Sequence, residues 1–167
     1  PPADTIITDP IELELVVSKG PEFEKTKVPA LTGLSINDTL LQLARSKVVF
    51  EFTTKIAEAT EVPGTVVSQD KEAGTWADMY SRVNAVVAVP QKVEKDMVYG
   101  IYTENLPNYP YPLQLQLDVQ TFDGERYNLV TLNHPGGKLT IPYYLQKKSV
   151  LILSIEDSRD VMRKTVQ

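Results

Sequence analysis

The chain of 167 residues contains no cysteine, which removes disulfides, cysteine–zinc sites and thiol nucleophiles together. It has a single histidine, His134, so histidine clusters around a metal are excluded. No run approaches the ~20 apolar residues of a membrane span, and no signal peptide is read. Basic residues are outnumbered, 17 Lys and Arg against 22 Asp and Glu, for a net charge of -5. That balance argues against nucleic acid and anionic membrane surfaces, which need clustered cations. There is no GxGxxG or P-loop, and Gly136-Gly137 reads as a hairpin turn rather than a phosphate cradle. Lack of cysteine does not place the chain in the cytoplasm. An opening at Pro1 without Met reads as a processed or excised piece.

What is present is ordinary globular material, 42% hydrophobic and 23% charged, enough for one large domain or two small ones. Ser35 is placed to cap a helix, with Asp38 at its third position and Ile36, Leu40, Leu43 and Ala44 as the apolar face. Strands are expected with Val48, Phe50 and Phe52 facing one way, then over Val62–Gln69 and Val83–Val89. Leu40, Leu43, Phe50, Val67 and Val87 are expected to be buried together. Beyond Pro90, Pro107, Pro110 and Pro112 with their tyrosines rule out a helix. Leu113 to Val119 alternates as a strand, Asp123-Gly124 marks a tight hairpin, Arg126 to Leu132 returns, and Val150 to Ile155 is a fully apolar strand. That half reads as all-β and as a separate unit.

An internal repeat stands out. Ala3 to Val17 overlays Ala73 to Val87 without a gap, pairing Thr5 with Thr75, Leu13 with Val83 and Val17 with Val87. Equal spacing of turn and strand reads as two copies of one module, the first present only as its C-terminal tail.

The residues VPALTGLS (Val28 to Ser35), the helix after them, and EVPGTVVSQDKEAGT (Glu61 to Thr75) resemble a PASTA domain, the module found in penicillin-binding proteins and serine/threonine kinases. The resemblance implies an α+β fold: a PASTA-like module of one helix on a three-stranded sheet, here followed by a mostly antiparallel β domain. The expected organisation is the tail of a preceding repeat over 1–20, a linker over 21–27, a complete PASTA-like domain over 28–90, an all-β domain over 97–156 and a charged tail over 157–167, at most a short helix. Two departures stand: Arg45-Ser46-Lys47 replaces the family's glycine after the helix, and Asp78-Met79-Tyr80-Ser81 replaces its Lys-Gly turn.

The resemblance also implies a non-enzymatic, extracytoplasmic, cell-wall-associated module of a bacterium, with a membrane-anchored parent, contacting peptidoglycan or muropeptide and using no cofactor or metal. The alternative is a structural spacer or self-association module that binds no muropeptide. Candidate ligand contacts are Trp76, Arg82, Glu61 and Lys71. Trp76 either stacks on a sugar ring or covers the base of its own module. Arg82 either pairs with a muropeptide carboxylate or forms a surface salt bridge to Asp78 or Glu72. Tyr102, Tyr109, Tyr111, Tyr143 and Tyr144 form either a second site or packing around a proline-rich β core. Glu58, Glu61, Asp70 and Glu72 read as solvated loop carboxylates, and His134 as a surface turn residue.

Overall fold

The computed structural model describes residues 24–156 and 162–167. The expected repeat tail over 1–20, with its Ala3–Val17 copy, and linker residues 21–23 lie outside the described residues. Strand β1 (Lys25–Lys27) precedes helix α1 (Ile36–Arg45), then come β2 (Val49–Ile56), β3 (Thr65–Gln69), β4 (Trp76–Asp78) and β5 (Arg82–Val89). The second part comprises β6 (Met97–Leu106), β7 (Leu113–Gln120), β8 (Arg126–His134), β9 (Gly137–Gln146), β10 (Val150–Ile155) and β11 (Met162–Thr165). Among the described residues four sheets form, with orders β1-β4, β2-β5-β3, β6-β9 and β11-β10-β7-β8. All pairings are antiparallel except β2 with β5.

The helix starts where its cap stands. Ser35 Oγ accepts the Asp38 N–H at 3.2 Å, satisfying a donor that the first turn leaves free. Ile36, Thr39, Leu40 and Leu43 point inward. Ala44, expected among them, is exposed, because it lies roughly 80° round the axis from Ile36 and so falls at the rim of the stripe. The sheet under the helix contributes Phe50, Phe52, Val66, Val83, Ala85 and Val87, all buried. Val67 was the expected core residue of β3, but a bulge between Val66 and Ser68 leaves it opposite no partner and turns Val66 inward instead. The strand expected from Val62 begins at Thr65, and Val62 itself is exposed.

The linker expected over 21–27 is corrected at its end: Lys25 to Lys27 pair with Asp78, Ala77 and Trp76. The charged tail is corrected as well, since Met162 to Thr165 add to β10 as β11 and Val166 is buried. Strands β6 and β9 were not foreseen. They form a ten-residue ladder with one face on the four-stranded sheet, through Tyr102, Leu139, Ile141 and Leu145. The other face lies against β2. Helix α1 likewise packs on β8 and β9. The two parts expected as separate units therefore share one core, in which Val28, Leu40 and Phe50 belong to the same cluster as Leu117, Ile141 and Leu153.

Candidate functional site

Two segments, one after β1 and one after β3, meet at Gln69. Its carbonyl oxygen accepts the Leu31 N–H at 2.9 Å, and its amide donates to Pro29 O at 3.2 Å and Lys71 O at 2.7 Å. This fixes the loops on either side of the β1–β4 ribbon, which continues beyond its strands through Val28 N–H to Thr75 O and Gly74 N–H to Val28 O. Trp76 emerges from this ribbon with 67% of its surface exposed, the Lys27 ammonium 5.3 Å from its ring centre. It does not cover the base of the module.

The other candidates are placed differently. Arg82, opening β5, donates from Nη1 to Glu51 Oε1 at 2.8 Å and to Lys138 O at 3.0 Å, and from Nη2 to Gly136 O at 3.1 Å. Its carboxylate partner is thus Glu51 rather than Asp78, which pairs with Lys25, or Glu72. Glu61 accepts the Glu58 N–H at 2.9 Å and pairs with Lys55 at 2.6 Å; the first of these contacts, then the second, holds its carboxyl below the ordinary range. Lys55 and Arg82 stand at opposite ends of the β2–β5 ladder, about 20 Å apart along it. The four candidates do not form one constellation. Trp76 is the one that faces solvent broadly, with Lys71 half-buried on the adjoining loop.

The Arg82 contacts require a close backbone. Gly136 has φ +95°, and a Cβ there would stand 2.0 Å from Pro107 O; one on Gly137 would stand 2.5 Å from the guanidinium. His134, expected on the surface, is 2% exposed at the end of β8. Its Nδ1 accepts the Gly136 N–H at 3.0 Å, so the neutral ring carries its proton on Nε2. Burial, reinforced by the Arg82 charge, lowers its pKa to about 4. A cavity of about 20 Å³ beside it is lined also by Leu43, Phe50 and Thr140. The Thr140 hydroxyl accepts the Phe52 N–H at 2.8 Å and donates to Phe50 O at 3.1 Å. His134, Arg82 and Thr140 thus belong to the junction between the two parts, not to an open site.

The tyrosines are mostly packing. Tyr102 is buried, Tyr144 stacks on Tyr99 with centroids 4.1 Å apart, and Tyr143 covers Gly100, while Tyr111 is exposed. Burial raises the Tyr102 pKa to about 12, with a smaller push from Glu104. Among carboxylates, Asp118 was not foreseen. It is 6% exposed, and burial is outweighed by donors from Gln116, Asn128 and Arg126, so its pKa falls.

A second feature missed in the sequence is a basic pocket of about 100 Å³ between β1 and the end of α1, lined by Lys27, Arg45, Lys47, Thr26 and Gln42. Its signal was the Arg45-Ser46-Lys47 departure, which puts two cations on one side of the helix end. Lys27 had been assigned to the linker.

Among the described residues no group of three or more His, Asp or Glu side chains is placed to hold a metal ion, and no helix is long and apolar enough to cross a membrane. The chain is 25% identical over 146 residues to an uncharacterized protein of Borreliella burgdorferi, covering 87% of this chain and 45% of that protein. It also aligns with the X-ray structure of the entire extracellular region of the Ser/Thr kinase PrkC from Staphylococcus aureus. That alignment has 15% identity and a TM-score of 0.35, and covers 86% of this chain and 52% of that one. The chain thus spans about half the length of each. The profile of the PASTA domain family matches residues 26–88, the segment from β1 to the end of β5 that carries Trp76, Gln69 and the capped helix: this stretch of the chain is a PASTA domain.

Proposed function

We propose that the chain is a non-catalytic, extracytoplasmic module of a cell-wall-associated bacterial protein, and that its PASTA domain contacts peptidoglycan fragments through the Trp76 face. The observation that carries this reading is the exposed indole on β4, held by the Gln69-braced loops of the PASTA domain and flanked by Lys27. A rigid aromatic with a neighbouring ammonium suits a sugar ring bearing a peptide-stem carboxylate. Lys71 adjoins this face, whereas Arg82 and Glu61 are engaged within the protein. The parent is a kinase, a penicillin-binding protein or a standalone anchored protein.

Support for the non-catalytic reading comes from the carboxylates. Among the described residues those with displaced pKa values, Glu61, Asp118 and Asp123, all move down, whereas a general acid needs one held up. Because Trp76 is the only tryptophan, its fluorescence reports the proposed site directly. Titration with muropeptides should change that emission, and Trp76→Ala should abolish binding followed by calorimetry. No response at millimolar muropeptide would sink the reading in favour of the spacer alternative. That alternative draws its own support from the Arg82 and Thr140 contacts, which brace the PASTA domain against the β part.

A further inference from the structure

Three cations line the pocket between β1 and the end of α1, and no carboxylate does. Among the described residues Lys27, Arg45 and Lys47 form no ion pair, whereas the neighbouring Lys25 is taken by Asp78. In a chain of net charge -5 this is a local reversal of sign. The partial negative charge at the helix C-terminus accounts for Arg45, which stands in the last turn. It does not account for Lys27, which arrives from a different element, nor for three like charges sharing one small space. An anion seated between them would be attracted by all three. The Thr26 hydroxyl and the Gln42 amide line the same space and add neutral hydrogen-bonding groups.

Lys27 has a second neighbour. Its ammonium lies 5.3 Å from the centre of the Trp76 ring, and Lys27 and Trp76 are direct cross-strand partners. An anion in the pocket therefore has an exposed aromatic surface one residue away. We propose that the pocket of Lys27, Arg45 and Lys47 binds a phosphate group carried on a sugar, with the sugar ring resting against Trp76. A phosphate offers several oxygens to a guanidinium fork and two ammonium groups, more acceptors than one carboxylate provides. A nucleic-acid backbone is disfavoured, because beyond this one pocket the chain is acidic overall and would repel a run of phosphates. The inference shares Trp76 with the proposed function but does not rest on muropeptide binding.

The test uses the full chain titrated with glucose phosphate, glucose and glucuronate, read by Trp76 fluorescence and by amide shifts. Glucose phosphate should move the Lys27, Arg45 and Lys47 amides and change Trp76 emission, and added salt should weaken both effects. The Arg45→Gln/Lys47→Gln double variant alters two exposed side chains and should keep the native circular dichroism. It should bind glucose phosphate at least roughly tenfold more weakly. An equal response to glucose removes the anion site, and an equal response to glucuronate removes the phosphate assignment. Unchanged affinity in the double variant, shifts confined to other residues, or no response at tens of millimolar also overturn the proposal. A positive result with glucose phosphate stands even if muropeptides fail to bind.

Discussion

The Arg82 guanidinium joins the Glu51 carboxylate, 2.8 Å away on the neighbouring strand, to the Gly136 carbonyl of the β8–β9 turn and the Lys138 carbonyl at the start of β9. One side chain of the PASTA domain thereby holds the second part of the molecule by its backbone. Hydrogen bonds from a charged donor are stronger than neutral ones, and this group makes three, although it is partly exposed.

Arg82→Ala should therefore lower stability by about 1–3 kcal/mol in equilibrium chemical denaturation. Arg82→Lys should recover only part of the loss, because an ammonium cannot reproduce the planar fork. Full recovery with lysine would mean that charge alone matters at this position.

His134 makes stability depend on pH. Its folded pKa, about 4, lies below the ordinary 6.5, so the unfolded chain binds more protons between those values. The stability contributed by keeping the ring neutral is fully present above pH ~6.5 and is lost as pH falls toward about 4. Relative to His134→Gln, the natural chain should lose about 3 kcal/mol between pH 7 and pH 4. Parallel pH profiles for the two proteins would contradict the buried, neutral ring.

Tyr80, within the Asp78-Met79-Tyr80-Ser81 turn that precedes β5, has φ +60°. Its N–H still donates to Lys47 O at 2.6 Å. Side chains resist this left-handed conformation and glycine does not. Tyr80→Gly should be more stable than Tyr80→Ala by about 1 kcal/mol, the reverse of the usual order. An alanine variant equal to or better than the glycine variant would show that the turn relaxes without strain.

Leu40 is 5% exposed at the centre of the inward stripe of α1. Leu40→Ala should cost roughly 2–5 kcal/mol. A loss below about half a kcal/mol would place the helix in a different register.

The elements legible in the sequence carry local chemistry that names them. Ser35 and Asp38 mark the helix start, and Asp123-Gly124 marks the β7–β8 hairpin, where Gly124 takes φ +95°. Strand β9 was hidden because Leu139, Thr140, Ile141 and Pro142 are buried in succession, and β6 because most of its residues are half-buried, so neither shows an alternation of wet and dry residues. Pro142 disguised β9 further, and it is tolerated there because the β6–β9 ladder has only two strands. His134 was misread from the turn residues after it, although Val130, Leu132 and His134 fall on one buried face at strand spacing. Of the proposed site, Trp76 could be read as an aromatic after a glycine turn. Of the basic pocket only the Arg45-Ser46-Lys47 departure could be read; the place of Lys27 could not, because β1 is held by a three-residue pairing with β4, too short to leave a periodic signature.

Strand β2 lies at the border of its sheet, and its outward-facing Phe52 N–H and Phe50 carbonyl are both answered by the Thr140 hydroxyl. A fragment ending near Pro90 would expose those groups beside two phenylalanines, a ready template for ladder pairing with another copy. The β part therefore covers, through the Thr140 hydroxyl, an edge of the PASTA domain that would otherwise be open to strand pairing.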